Sequence, residues 1–436
     1  MTVKDARLGS AIAAATCSLL GTTTAAPAAA EEAGRWELDS ALLYYGEDDS
    51  RVQDVSASIF AKRDFDDDRF LDLDLSVDTL TGASPSGAIA TDAVQTFTSP
   101  SGNDVYTTSG GEIPFDDTFL DTRVALNVGW TQPFARVYTL TAGLSFSTEY
   151  DYTHAGINFG MTRDFNLRNT TLSAAVAYSQ DDIDPVGGAP LALAPMLDVG
   201  DDSSKAGSES KDVLDLLLGV TQVLGRSTVL RVNYSYSDSS GYLSDPYKIL
   251  SVVDPVTGDT LARVPAPGAL GPTGIYRYES RPDSRRKQSL FAEVRHDFSG
   301  KVLGVSYRFG TDDWSIDSHT LDAHLRWPLG ESSYIEPHFR YYTQTAAEFY
   351  RYSLVDGQTL PESASADARL ADLDGITLGL KYGHKTASGN EWSARVELYQ
   401  QTGSVPSDQI IGNQAGRDQF PDLNAVIAQF SYRFKL

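Results

Sequence analysis

The chain ends in Phe430-Ser431-Tyr432-Arg433-Phe434-Lys435-Leu436, and this stretch decides the fold class. Aromatic side chains stand at alternate positions, polar side chains fill the gaps, and an apolar residue ends the chain. A strand with this alternation has one face suited to hydrocarbon and one face suited to a polar lumen. Because an amphipathic edge strand of a soluble protein alternates in the same way, the rest of the chain must decide between the two.

Composition favours a membrane barrel. Hydrophobic residues make up 41% of the chain, and after the N-terminal segment no apolar run approaches the roughly 18 residues that a spanning helix needs. Tyr and Phe are frequent, with 22 and 18 residues, whereas Met occurs 3 times and Cys once. This composition is typical of outer-membrane barrels, which carry aromatic girdles at both interfaces. A periplasmic or secreted β-protein is the alternative class.

The N-terminal segment predicts a secretory signal peptide covering residues 1–30. Lys4 and Arg7 supply the positive start, residues 8–21 a short apolar stretch, and Ala28-Ala29-Ala30 a small-residue cleavage site. The mature barrel domain would then cover residues 31–436.

The single cysteine, Cys17, lies inside the predicted signal peptide. It is an alternative lipoprotein acceptor, but Thr16 stands where such signals favour Gly or Ala. If the signal is removed at Ala30, the mature chain has no thiol and therefore no disulfide or Cys-bound metal.

The formal net charge is -24. So acidic a chain is not expected to bind nucleic acid or anionic membrane surfaces electrostatically. We expect many of its carboxylates in outer loops and turns, where divalent cations could bridge them to lipopolysaccharide.

The lengths of the connections alternate between short and long. A closed membrane barrel sorts its loops in this way, with short periplasmic turns and long extracellular loops, whereas a sandwich has no reason to do so. The pattern therefore predicts that every long loop leaves the same end of the molecule. The long connections run over approximately 81–118, 181–211, 238–284, 346–374 and 402–422.

Counting the alternating segments predicts a closed antiparallel barrel of sixteen strands, with fourteen or eighteen as alternatives, because bacterial barrels have even numbers of strands. Trp36 to Gly46 supplies the sixteenth segment. The fifteen others are 51–62, 69–79, 120–131, 137–150, 153–165, 170–180, 211–223, 227–237, 286–297, 302–310, 314–327, 334–345, 375–384, 391–401 and 423–436.

One hairpin predicts a register. If strands 314–327 and 334–345 pair so that partner numbers sum to 662, one face is apolar and the other carries charged residues in opposed pairs. Charges facing lipid are costly, so the charged face must line the lumen. The lumen-lining residues predicted from this and similar strands are Asp322, His324, Arg326, Glu336, His338, Arg340, Glu293, Arg295, Arg395 and Glu397. Leu321, Leu325, Trp327, Ile335 and Phe339 are predicted to face lipid, and Arg326–Glu336 and Asp322–Arg340 to be in contact.

A basic cluster stands out in the longest loop of this acidic chain. Salt bridges with Asp245, Glu279 and Asp283 would hold the loop folded, whereas an unpaired cluster would attract anionic solutes at the pore. The cluster consists of Arg281, Arg285, Arg286 and Lys287.

The sequence contains only weak evidence for metal binding or catalysis. His324 and His338 would offer two imidazoles to a metal, but no third ligand is evident, so no metal site is predicted. The chain contains no nucleophile-elbow, zinc-protease or phosphate-loop motif, and no Ser–His arrangement follows from spacing. We expect neither catalysis nor a cofactor.

Three stretches resemble the exported bacterial family catalogued as domain of unknown function 3570. They are 38–47, 241–248 and 276–287, and the resemblance covers 36–436. It implies an outer-membrane location but no established activity. Genes of this family are often near those of periplasmic flavin-transferase and thioredoxin-like proteins, which implies redox-linked transport or assembly. The final strand also resembles the signal read by the barrel-assembly machinery, although Leu436 stands where Phe is commoner.

We therefore expect a channel or transport component for small polar solutes, since a barrel of this size leaves an aqueous lumen unless loops plug it. The alternative is a structural sleeve or assembly partner for an exported redox or lipoprotein component in the periplasm.

Overall fold

The structure is a computed structural model that describes residues 36–48, 51–65, 68–82, 85–116 and 120–436. The predicted signal peptide, with Cys17, lies outside the described residues. In chain order the strands are β1 (Trp36–Glu47), β2 (Gln53–Asp64), β3 (Phe70–Thr81), β4 (Gln95–Thr98), β5 (Val105–Thr108), β6 (Leu120–Phe134), β7 (Tyr138–Thr148), β8 (Tyr152–Phe165), β9 (Thr170–Ile183), β10 (Ala189–Pro190), β11 (Lys205–Ala206), β12 (Glu209–Gly225), β13 (Thr228–Gly241), β14 (Ile249–Val253), β15 (Tyr276–Tyr278), β16 (Ser284–Phe298), β17 (Lys301–Asp312), β18 (Asp317–Leu329), β19 (Ser333–Gln344), β20 (Leu354–Val355), β21 (Asp372–Lys385), β22 (Glu391–Ser404) and β23 (Leu423–Lys435). Short 3-10 helices cover Asn166–Arg168, Ala368–Leu370, Ser407–Gln409 and Gly412–Gly416.

Sixteen long strands form a closed antiparallel barrel in the order β1-β2-β3-β6-β7-β8-β9-β12-β13-β16-β17-β18-β19-β21-β22-β23. The ring closes where β1 pairs with β23, from Glu37 opposite Lys435 to Glu47 opposite Ala425. The predicted fold class and strand number are confirmed. Several predicted strand ends differ from the structure by two to four residues, and the strand predicted from residue 314 begins at Asp317. Trp314 and Ile316 instead pack in an apolar cluster with loop residues such as Phe349.

The predicted hairpin register is confirmed. Asp322 lies opposite Arg340, His324 opposite His338 and Trp327 opposite Ile335. The ladder is interrupted between the last two pairs, beside Pro337, which has no backbone N–H to donate.

The outward face of the barrel is apolar and ringed by aromatic residues. At the end with short turns, Trp36, Trp130, Trp327 and Trp392 stand on outward positions, and the Lys301 ammonium lies 4.0 Å from the Trp327 ring. At the other end several of the outward aromatic residues are tyrosines. Their hydroxyl groups donate to polar side chains nearer the rim, as in Tyr178 to Asp212 at 2.6 Å and Tyr341 to Asp374 at 2.7 Å.

An apolar belt between two aromatic girdles is the lipid-facing surface of an outer-membrane barrel. The protein is therefore located in the bacterial outer membrane, with its short turns toward the periplasm and its long loops outside. Among the described residues, no helix has the length and hydropathy needed to cross a membrane.

All five long loops leave the outer end, as predicted. They are the connections 82–119, 184–208, 242–283, 345–371 and 405–422, whose described residues we call the outer cap. The remaining outer connections, such as 149–151 and 313–316, are short.

The outer cap lies across the mouth of the barrel. Loop 184–208 follows the seventh barrel strand and loop 405–422 follows the fifteenth, so the two are anchored on opposite sides of the ring. Both bind loop 242–283, through Met196 to Tyr276 at 2.9 Å and Asn413 to Thr257 at 2.8 Å. Loops anchored on opposite walls can share a neighbour only above or inside the mouth.

The strand parity can be tested with two adjacent single-cysteine variants in β18. Asp322 points into the lumen, so the alternation of the strand makes its neighbour Leu321 point outward and Thr320 point inward. A bimane fluorophore on the L321C variant should be quenched by lipids that carry a nitroxide in the acyl chain. The same fluorophore on T320C should be quenched by a water-soluble quencher. The reverse pattern would contradict the register.

Candidate functional site

The lumen wall between β18 and β22 carries a polar network centred on His338. Its Nε2 lies 2.9 Å from Asp322 Oδ2, and its Nδ1 lies 2.9 Å from Glu397 Oε1. Both contacts are hydrogen bonds to ionised carboxylates only when both ring nitrogens carry a proton. His338 on β19 reaches Glu397 on β22 across β21 because the intervening residue is Gly379. A Cβ added there would lie 2.8 Å from Glu397 Cγ, so any larger residue would push the two apart.

The two predicted ion pairs were wrong in detail. Asp322 binds His338 and lies 3.7 Å from His324, rather than contacting Arg340. Arg326 lies 3.8 Å from Glu391, two strands beyond its register partner Glu336. The reason is steric. The Arg326 guanidinium lies 3.6 Å from the centre of the Tyr334 ring, and the Tyr334 hydroxyl group donates to Glu391 at 2.9 Å. This ring covers Gly383 and directs the long arginine side chain over it.

The structure brings several of the predicted lumen-lining residues together. His324, Glu336, His338, Arg395 and Glu397 line one polar recess of about 220 Å³. Lys381, Ser393, Gln429 and Ser431, which the sequence analysis did not single out, also line it. The sequence pattern could have identified these four residues, because each occupies an inward position in the alternation of its strand.

Glu293 and Arg295, which were also predicted to line the lumen, lie on β16, away from this recess. Glu293 accepts a hydrogen bond from Arg295 Nε at 2.7 Å and lies 3.6 Å from Arg231 on the neighbouring strand. Arg395 lies 3.4 Å from Glu397.

The basic cluster of the long loop is not an unpaired patch. Arg281 forms ion pairs with Glu279 at 2.6 Å and with Asp367 at 2.7 Å. Arg285 lies 2.5 Å from Asp312 and over the Trp314 ring. Each of these arginines therefore has a carboxylate partner.

The last two members of the cluster also lie beside carboxylates. Arg286 points outward from the rim and lies 3.6 Å from Asp238. Lys287 points inward, close enough to Asp215 to influence it electrostatically. The hypothesis of a positive pore patch was wrong, because acidic neighbours balance these cations.

Ion pairs from two loops form a buried cluster in the outer cap, which we call the cap latch: Asp245, Glu279, Arg281, Asp367 and Arg369. Arg369 joins Asp367 to Asp245, at 2.7 Å from the latter. Lys248 beside it donates to the carbonyl of Pro85 at 2.6 Å, which ties in a third loop. The cap latch thus connects loops 82–119, 242–283 and 345–371.

Burial and charge oppose each other in the cap latch. Burial acts to raise the pKa of Asp367, but Arg369, Lys248 and Arg281 outweigh it and hold the pKa well below its usual range. Burial raises the pKa of Glu279, with Arg281 opposing it. The cationic neighbours therefore keep Asp367 ionised at neutral pH.

Burial divides the lumen into two halves. Toward the outer end, luminal residues lie beneath the cap and are buried, with Asp54 1% and Ser239 1% exposed. In the middle and periplasmic part, Arg308 and Arg326 are exposed and Asp74 and Glu336 are half-buried. Over the described residues, the barrel is therefore a cup that is covered at its outer end and open at its periplasmic end.

A second luminal network was not found from the sequence. Ser145 Oγ lies 3.0 Å from His154 Nε2, and His154 Nδ1 lies 2.6 Å from Asp181 Oδ1. Lys211 lies 3.0 Å from Asp181, and Tyr152 donates to the same carboxylate. These residues sit on β7, β8, β9 and β12, so only the register brings them together.

The order serine, histidine, aspartate is that of a catalytic triad. However, Ser145 and its partner Gly156 lie within the continuous β7–β8 ladder, where backbone N–H groups bind neighbouring strands. The described part of this wall therefore presents no free pair of backbone amides for an oxyanion beside Ser145, and the network links β7, β8, β9 and β12.

The structure also brings three carboxylates together at the outer end. Ligand oxygens of Asp121, Glu149 and Asp151 lie within 4.8 Å of one another. Such a set suits Ca²⁺ or Mg²⁺. Because acidic groups also gather without a metal, we assign this group no role.

Asp181→Asn should destabilise the barrel. The substitution leaves the buried Lys211 without its anionic partner, and breaking a buried ion pair costs about 3–5 kcal/mol. We expect a lower urea midpoint for unfolding, followed by the heat-dependent shift in gel mobility. Asp182→Asn is the matched control, because the neighbouring carboxylate points outward and is exposed. Equal midpoints for both variants would show that Asp181 does not brace the wall.

A search of curated protein sequences found no match. Among solved structures, the chain is similar to a mutant ferric enterobactin receptor from Pseudomonas aeruginosa, at 11% identity and TM-score 0.41, covering 86% of this chain and 54% of the receptor. It thus spans about half the length of such receptors. A bacterial polysaccharide outer membrane secretin has 10% identity and TM-score 0.41, with 93% and 100% of the chains covered. The CymD monoaromatic hydrocarbon channel has 9% identity and TM-score 0.39, with 93% and 89% covered.

These structural similarities do not identify a family for the chain, but its sequence does. The profile of one family matches residues 9–434, essentially the whole chain. The family is described only as a protein of unknown function, DUF3570, which agrees with the resemblance noted from three short stretches. The chain belongs to the DUF3570 family.

Proposed function

We propose that the protein is a channel or transport component for small polar solutes, and that its outer cap controls passage. The observation that carries the proposal is the polar luminal face, whose side chains remain accessible in the periplasmic half although apolar side chains could have filled the barrel. On this face Arg308 and Arg326 are exposed and Asp74 is half-buried. A buried charge without solvent or a partner would be strongly unfavourable, so the lumen must hold water.

The size of the ring is sufficient for small solutes. Sixteen strands spaced by about 4.8 Å and tilted by about 40° enclose a backbone diameter of roughly 30 Å. Side chains narrow this opening, but small polar molecules would still fit.

The outer cap must yield for a solute to pass. Loops anchored on opposite walls are joined above the mouth, and the buried cap latch holds three of them together. Passage therefore requires the cap latch to open, or a part of the cap to move aside while the barrel wall stays rigid.

Conductance in planar bilayers tests this proposal. The purified wild-type protein should give rare, brief openings. Asp367→Asn removes the carboxylate shared by Arg281 and Arg369, and losing a buried partner costs about 3–5 kcal/mol, so the open probability should rise about tenfold or more. Asp283→Asn, which changes an exposed carboxylate in loop 242–283 outside the cap latch, should leave the open probability unchanged. Folded barrels that pass no current in any of these forms would overturn the proposal.

The cup shape favours a second candidate function, a sleeve or assembly partner for an exported redox or lipoprotein component. The outer mouth is covered, whereas short turns such as Ser299-Gly300 leave the periplasmic opening accessible. A barrel that conducts no ions, but retains a defined periplasmic protein during purification, would favour this candidate over the channel.

Interactions with the membrane and its machinery are part of the same proposal. The outward carboxylates near the outer rim, such as Asp238 and Asp374, would contact lipopolysaccharide through divalent cations. The C-terminal strand, with Phe430 and Phe434 on its outward face, would present the signal read by the barrel-assembly machinery. Removal of Phe434 should then reduce insertion in cells without affecting the export of the chain.

A further inference from the structure

The register places an excess of luminal carboxylates on one wall and an excess of luminal cations on the opposite wall. We infer that this charge separation makes dipolar, zwitterionic solutes the preferred substrates of the lumen, namely small molecules that carry both an ammonium and a carboxylate group. The inference rests on the proposed function and adds the substrate class.

One wall is acidic. From β1 to β6 the inward positions carry a series of carboxylates but few cations. The series includes Asp39, Asp54, Asp72, Asp74, Asp78 and Asp121, whereas the inward cations of these strands are Lys62 and Arg123. Asp78 is neutralised by Arg123 at 2.6 Å and Asp39 by Arg433 at 2.8 Å. Lys62 lies opposite Asp72 and acts on it electrostatically, but neither Asp72 nor Asp74 forms an ion pair within 4.0 Å among the described residues. The carboxylates of this wall therefore outnumber its cations, and their excess charge acts on the lumen.

The facing wall carries charges of both signs with an excess of cations. From β16 to β22 the inward cations include Arg295, Arg308, Arg326, Arg340, Lys381 and Arg395, and the inward carboxylates include Glu293, Asp322, Glu336, Glu391 and Glu397. Three of these cations have carboxylate partners within 4.0 Å, namely Arg295, Arg326 and Arg395. Over the described chain, three of these cations (Arg308, Arg340 and Lys381) but only one of these carboxylates (Glu336) form no ion pair within 4.0 Å, so the unpaired charge of this wall is positive.

The unpaired groups of the two walls face each other. β3 is the third strand of the ring and β17 the eleventh, so Asp74 and Arg308 stand on strands eight places apart in a ring of sixteen. Both residues lie in the middle third of their strands, as does Arg340 on β19. Asp74 accepts a hydrogen bond from Asn127, and Arg308 stacks beside the Phe291 ring at 5.5 Å. These contacts keep both groups close to their own walls.

Opposed charged walls produce a field across the pore rather than along it. A wall of one sign alone would select ions of the other sign. Two facing walls attract both ends of a dipolar molecule and orient it across the lumen, while simple cations and anions are each held by one wall and repelled by the other. A zwitterion therefore gains more from this lumen than a neutral solute of equal size does.

The test introduces substitutions on each wall into whichever protein conducts well enough to measure, either the wild type or the Asp367→Asn variant. Ion selectivity is read from the reversal potential in a KCl gradient, and solute selectivity from the swelling of proteoliposomes in β-alanine relative to glycerol, which has a similar size. The double variant Asp72→Asn/Asp74→Asn should shift the reversal potential toward anion selectivity. Arg308→Gln/Arg340→Gln should shift it toward cation selectivity.

Each double variant should also lower the ratio of β-alanine to glycerol swelling rates by at least about twofold. Asp317→Asn and Arg286→Gln are the controls, because these charges point outward from the barrel and should change neither measurement. Normal conductance with unchanged reversal potentials and swelling ratios would overturn the charge-selection inference alone. A barrel that passes no solute in any form would overturn both this inference and the proposed function.

Discussion

Backbone hydrogen bonding inside hydrocarbon is the constraint on which the rest of this structure depends. No water is present there to satisfy an open strand edge, so the first and last strands must pair. Residues 37 and 435 therefore lie side by side although nearly the whole chain separates them. In an antiparallel barrel, closure in turn requires an even number of strands, and it places the start of β1 and the end of β23 together at the periplasmic end.

Closure also gives every strand position a fixed destination. Odd and even residues of each strand go to lipid or to the lumen, and one shift of register would move a row of charges into hydrocarbon. Within the lumen, glycines such as Gly379 and Gly383 leave space above the wall, so that Glu397 and Tyr334 lie flat over them. The wall thereby supports networks that extend over several strands, with an excess of carboxylates on one side of the lumen and an excess of cations on the other.

The outer cap solves a different physical problem. Five loops that are polar in composition bury several apolar clusters, such as the one containing Phe97 and Tyr276, and a group of ion pairs. Such a group is expensive to bury, but each charge of the cap latch has an opposite partner, which is the condition under which buried ion pairs are tolerated. A cap held by mutually dependent ion pairs can be rigid when closed and can open as a unit, which suits control of passage.

The sequence by itself determined the barrel: its sixteen strands, the common end of its long loops, and the register of the hairpin between β18 and β19. These features can be predicted from local sequence, because each depends only on the alternation within a strand of about ten residues and on the pairing of strands that are adjacent in the chain. Only the tertiary structure decided which luminal groups meet. Arg326 binds Glu391 rather than its neighbour Glu336, and Ser145, His154 and Asp181 gather from three strands. The cap latch and the covering of the mouth also could not be predicted from the sequence. They depend on contacts between loops that are anchored on different sides of the ring, and the loops have no periodic pattern that indicates these contacts.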